Sequence, residues 1–226
     1  PNPAPAPADP ALVREVFSGT LAAMDAATAA FDRIGDDADI GLVVRLDDLW
    51  FDIDGNGARG PGEDLMTLAL AAFLNPWDMP ETPGPVPVVR FDTADAAWLS
   101  AYAHLVSALA EAVLAYDPTD ATARMMAATA DRRDRLGTLP TTMENLIGTD
   151  GAIDKAMIVI EALRQAPDPT RTTAARDHLL AMIRDNRTFW TRVAAETDNE
   201  AEWIPNGTQT GAFGITLAPE TGETWL

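Results

Sequence analysis

Residues 92–118 read DTADAAWLSAYAHLVSALAEAVLAYDP. Between Ala94 and Tyr116 the apolar pattern is that of a long helix, with Asp92 or Thr93 placed to cap its start and Asp117-Pro118 placed to break it. His104 and Glu111 interrupt the apolar run from Ala96 to Tyr116. A bilayer span needs ~18 or more consecutive apolar residues, so the stretch reads as a buried helix rather than a span.

The same signals repeat on both sides. Downstream, Thr119 or Asp120 opens a helix that runs to about Leu136, where Gly137 and Pro140 end it. Thr141 with Glu144 fits the reciprocal capping pattern of another helix. Gly148 and Gly151 are expected to interrupt it before Ile153–Gln165. Asp168-Pro169 starts the last long helix, ending near Asp198, because proline suits a first turn.

Upstream, Leu12, Val16, Leu21, Met24, Ala27 and Phe31 mark a helix over 11–34 that Gly35 stops. Asp39 is expected to cap a second helix through Leu42, Val43, Leu46, Leu49 and Trp50. Five prolines between Asn75 and Pro87 preclude regular helix there, and Val88–Phe91 suits a short extended segment. The expected fold is all-α, with about seven or eight helices. The expected layout is a Pro/Ala-rich leader at 1–10, a single helical domain at 11–205 with a sub-boundary in the 75–87 connection, and a loop or tail at 206–226.

Composition narrows the function. Of the 226 residues 47% are apolar, enough for a core, and 35 acids against 16 bases give a formal net charge of −19. Such a surface repels nucleic-acid phosphates and anionic membranes and suits cations. With no cysteine, thiolate metal sites and cysteine nucleophiles are excluded. The leader PNPAPAPADP favours extended geometry and reads as the start of a mature exported protein.

The chemistry sits at residues 52–63, DIDGNGARGPGE. A hard divalent cation wants roughly six to eight oxygens. Asp52, Asp54 and Asn56 alternate so that their side-chain oxygens can converge, Gly57 permits the sharp turn, and Ala58 can offer its carbonyl. The segment resembles the EF-hand family: every specified position of that family's loop pattern is matched. The resemblance implies that Glu63 closes the sphere with both carboxylate oxygens and that Gly60 leaves a vertex for water. The resemblance implies a Ca2+ ion held by Asp52, Asp54, Asn56, Ala58 and Glu63 between two helices, Leu46–Phe51 before the loop and one opening at Glu63 and running to Leu74 after it. Arg59 stands where the family carries a branched apolar residue that pairs with a second loop, and Pro61 is also unusual. No second loop is found, so a solitary, structural ion is expected rather than a sensor.

Phe91–Leu105 and His178–Asn206 are similar to exported bacterial proteins to which no activity is attached, so this resemblance implies export and no mechanism. The resulting reading is a calcium-stabilised, exported binding or scaffold domain without catalysis. The rival reading is a metal-dependent or acid–base enzyme that uses His104, Glu111 and His178, if two helices bring them together. Serine catalysis has no elbow motif around Ser18, Ser100 or Ser107. Arg184, Asn186, Arg187 and Trp190, with Glu196, Asp198 and Trp203 downstream, read as an ion-paired surface beside a packed tryptophan.

Overall fold

The computed structural model describes residues 9–34, 40–65, 67–68, 86–136, 148–212 and 222. The expected leader before residue 9, the loop-following helix beyond Leu68, the proline-rich stretch at 75–85, the helix at Thr141 and Glu144, and most of the tail from 213 onward lie outside the described residues. Among those described, five helices and one two-stranded sheet follow one another. They are α1 (Leu12–Phe31), β1 (Leu42–Arg45), β2 (Val88–Phe91), α2 (Thr93–Tyr116), α3 (Thr119–Leu136), α4 (Gly148–Leu163) and α5 (Pro169–Ala195). The molecule is mostly helical, as expected.

Two expectations fail. The helix expected from Asp39 through Trp50 is instead β1 followed by a single 3-10 turn at Leu46–Asp48. The sheet wins because it has a partner: β1 runs antiparallel to β2, pairing Val44 with Val89 and Val43 with Arg90, and β-branched Val43 and Val44 fit a pleated surface. The ladder continues past the strand, with the Leu46 N–H bonded to the Pro87 carbonyl at 3.1 Å. Val89 and Leu46 are fully buried beneath it. Secondly, Gly151 does not interrupt a helix: it lies inside α4, which begins at Gly148. The extended segment expected at Val88–Phe91 is β2.

The chain divides into two compact units, one comprising residues up to Ala30 with Ser100–Ile183, the other Phe31–Leu99 with Arg184–Leu226. In the first, the core is lined by alanine: Ala101, Ala103, Ala108, Ala110, Ala115, Ala121 and Ala162 are buried, together with Leu114. Small side chains allow close helix approach, so polar bonds span the α2–α5 seam. The Asp168 N–H reaches the Ala115 carbonyl at 2.9 Å, and Arg171 reaches Glu111 at 2.9 Å. Further along, His104 meets His178 at 3.0 Å. As the numbers fall along α2 they rise along α5, which makes the pair antiparallel.

In the second unit Ala94 and Ala97 of α2 pack on Phe189 and Val193 of α5, with Trp98, Trp190 and Ile204 around them. Arg192 donates to the Thr93 carbonyl at 2.6 Å. The segment after α5 returns to β2, bridging Glu202 to Arg90 on one side and Gly211 on the other. Asn206 secures it by donating its side-chain amide to the Val193 and Glu196 carbonyls at the end of α5. Residues 206–212 thus lie against the core, with Gln209 3% exposed.

By length and composition α2 is long and apolar enough to cross a membrane, and 44% of its most apolar stretch is buried within the molecule. His104 and Glu111 are matched by polar partners from α5, which fits a core helix.

Candidate metal centre

The loop at 52–63 belongs to the second unit and is closed at its neck by backbone pairing. Trp50 and Asp64 form an antiparallel bridge. The Phe51 N–H bonds the Glu63 carbonyl at 2.8 Å, and the Leu65 N–H bonds the Leu49 carbonyl at 2.9 Å. The approach to the loop is therefore extended, and the helix expected over Leu46–Phe51 is absent. On the far side helix does not open at Glu63. It opens at Leu65, where Asp64 accepts from the Thr67 N–H at 2.8 Å and from its hydroxyl at 2.8 Å. Those bonds, the backbone one foremost, hold the Asp64 carboxyl below the usual carboxylate range.

Inside the neck the carboxylates turn inward onto the loop's own N–H groups. The two oxygens of Asp52 accept from the Asn56 and Gly57 N–H groups, each at 2.9 Å. Asp54 accepts from the Asn56 N–H at 3.1 Å and from its side-chain amide at 2.7 Å. Asn56 Oδ1 accepts from the Ala58 N–H at 2.7 Å. Gly57 has a φ of +76°, the left-handed geometry its place in the motif requires.

Glu63 differs from the other two acids. It is 5% exposed, whereas Asp52 and Asp54 are open to solvent. Its Oε1 accepts from the Ile53 N–H at 2.9 Å, and its Oε2 from the Gly60 N–H at 2.6 Å. The last contact was not legible in the sequence, which assigned Gly60 only a water. A Cβ at Gly60 would come within 3.2 Å of Glu63 Oε2, so this glycine also makes room for the closing carboxylate.

The donor set fits a calcium ion. One oxygen each from Asp52, Asp54 and Glu63 lie within 4.8 Å of one another, and among the described residues no other three histidines or acids are so grouped. Calcium–oxygen distances are about 2.3–2.6 Å, so ligands on opposite sides of one ion lie about 5 Å apart. Each carboxylate oxygen has two lone-pair directions, so an oxygen that accepts one N–H, as Glu63 Oε2 does, keeps one for a cation, while Glu63 Oε1 also receives the Asp54 N–H at 3.4 Å. Asn56 and Ala58, the remaining expected ligands, lie on the same exposed loop.

The histidine trio separates. His104 and His178 touch through Nδ1 atoms 3.0 Å apart, with ring centroids at 5.2 Å. Glu111 is taken by Arg171 at 2.9 Å, and its side chain is 14% exposed. Seven residues of helix put Glu111 roughly 10 Å along the axis from His104, at a separate level of the seam.

A second acidic group was only partly visible in the sequence. Asp92 caps α2, accepting from the N–H groups of Ala94 at 2.7 Å and Asp95 at 3.2 Å. Asp95 returns the bond, accepting from the Asp92 N–H at 3.2 Å. The cost is burial: Asp95 is 5% exposed, and burial pushes its carboxyl up to about 7, helped by the charges of Asp92, Glu196 and Glu202. Glu196 is likewise pushed up to about 7, by burial first and then by Asp92. Burial raises Glu202 as well. Its spacing does not resemble a metal motif, and no sequence signal pointed to Asp95.

The group around the last helix is a packed and ion-paired surface. Arg184 pairs with Asp185 at 2.8 Å, and Trp190 stacks on buried Phe189 at 4.9 Å between centroids. Trp203 stacks on Phe91 at 5.5 Å and on Trp98 at 5.9 Å.

Comparison with known proteins returns no matching family model, no matching curated protein and no matching solved structure. The functional reading therefore rests on the loop itself.

Proposed function

We propose that this chain is a calcium-binding protein whose single ion, held by Asp52, Asp54, Asn56, Ala58 and Glu63, is structural and serves a helical binding or scaffold domain. The observation that carries the reading is the convergence of Asp52, Asp54 and Glu63 oxygens within 4.8 Å, in a segment that matches every specified position of a calcium-loop pattern. Without a cation, three carboxylates so close repel one another, and backbone N–H bonds offset only part of that. The ion would stabilise the loop by supplying the missing positive charge.

A structural role follows from the frame. The loop is entered from a strand and a 3-10 turn and is closed by a two-residue bridge. Among the described residues no helix leads into the loop, so calcium would have no helix pair there to swing apart. We further propose a location outside the cytoplasm. A solitary loop with three carboxylates and one amide belongs to the weak end of calcium sites, about 10⁻⁴–10⁻³ M, and fills only where calcium is abundant.

The test is thermal unfolding with and without millimolar calcium, followed by circular dichroism and an apolar dye. The expected result is a higher melting temperature, unchanged helical content and no added dye binding. Strong calcium-dependent dye binding contradicts the structural role, and an unchanged melting temperature contradicts calcium stabilisation.

A further inference from the structure

We propose that His104 and His178 form a second metal site, a two-imidazole clamp between α2 and α5 for a borderline divalent ion of the Zn2+ or Ni2+ class. The site lies within the first unit, and it rests on none of the loop's residues. Its basis is the geometry of the two Nδ1 atoms, which face each other at 3.0 Å with the rings inclined by 44°.

With both rings neutral, such a contact needs one Nδ1 to carry the proton and the other to present a lone pair. A metal ion replaces that proton and takes both lone pairs. Ligand nitrogens lie about 2.0–2.1 Å from zinc, and two of them in a tetrahedron are about 3.3 Å apart. Opening the pair by roughly 0.3 Å therefore admits the ion, a movement within the reach of side-chain torsions.

Three further observations support a cation there. Both rings are half-buried, so they are held by the helix seam yet open to waters that would complete the sphere. The charged pair on the same seam, Arg171 with Glu111, is joined at 2.9 Å, so the charge of that arginine is compensated by its own partner. Ser107 follows His104 by one helical turn on the adjoining face, and its fully buried hydroxyl has no hydrogen-bond partner among the described residues. A metal-bound water would be a partner for it. Imidazole suits zinc and nickel, whereas the all-oxygen loop suits calcium, so the two sites sort different ions.

The experiment titrates Zn2+ into the full chain in saturating calcium, which occupies the loop if it binds, and follows heat and the imidazole nitrogen signals by NMR. The expected result is one equivalent of zinc with both Nδ1 signals shifted. His104→Asn and His178→Asn should each weaken binding at least ~10-fold, since even outer-shell losses cost ~10–100-fold. Glu63→Gln should leave zinc binding unchanged, which separates this site from the calcium reading. Zinc binding that leaves both histidine signals in place overturns the proposal, as does a histidine variant that binds zinc as tightly as the unmodified protein. The ring signals of the unmodified protein decide the question even if a variant fails to fold.

Discussion

Glu63 carries more than its place at the end of a motif indicates. It is buried, it closes on Ile53 and Gly60 through separate oxygens, and it sits at the neck where the strand-side backbone pairs. Sequence reading singled out Glu63, Asp52, Asp54 and Asn56 because side-chain oxygens at alternate positions are a local property. It did not find the Gly60 bond, because a glycine N–H carries no signal of its partner. Asp95 was missed for a related reason: its burial depends on α5 and the returning segment, far away in the chain. Its chemistry makes a pH prediction. An acid raised from an ordinary value near 4 to about 7 takes up a proton on folding between those pH values. Stability then falls as pH rises from about 4 to 7 and levels off above, with Glu196 adding to the same slope. Asp95→Asn keeps an oxygen for the Asp92 N–H and removes the buried charge. Its melting temperature should exceed that of the unmodified protein at pH 8, and the difference should vanish near pH 4. A stability curve that rises from pH 5 to pH 8 in the unmodified protein contradicts this.

At the scale of elements, helix ends were legible and strand partners were not. Asp168-Pro169 fixes the start of α5 because the aspartate side chain accepts from the Thr170 N–H at 2.8 Å while proline needs no such bond. Asp117 does the same for α3, bonding the Thr119 hydroxyl at 2.6 Å and the Arg14 guanidinium. Burial works against its charge, yet these bonds hold its carboxyl below the usual range. Replacing Asp168 by Ala should cost about 1 kcal/mol of stability, as loss of a helix cap does, measured by denaturant unfolding. A change below a few tenths of a kcal/mol would show that Pro169 alone is enough. The stretch Leu42–Trp50 misled because its apolar spacing suits either structure over so few residues. Only pairing with Val88–Phe91 decides it, and that partner lies more than forty residues on, beyond the proline-rich connection. The proposed structural role rests on this difference: the loop is approached through a 3-10 turn and an extended segment tied to Glu63–Leu65, not through a helix.

On the scale of the whole molecule, an acidic chain with a net charge of −19 carries an open acidic loop in one unit and a meeting of imidazoles in the other. Its long-range field draws cations toward both. The mostly helical architecture was readable because capped, proline-punctuated helices announce themselves locally. The division into two units was not, since it cuts through α2 and α5, the two most continuous helices of the chain. The central claim is that Asp52–Glu63 holds calcium, and calorimetric titration of calcium into the full chain and into Glu63→Gln tests it most directly. The variant keeps an oxygen at the neck but loses the charge and the two-oxygen grip. The account predicts one equivalent of calcium in the unmodified protein, with affinity weakened at least ~10-fold in the variant, about 1.4 kcal/mol or more. Equal affinity in the two proteins, or no binding in the unmodified one at millimolar calcium, would contradict it.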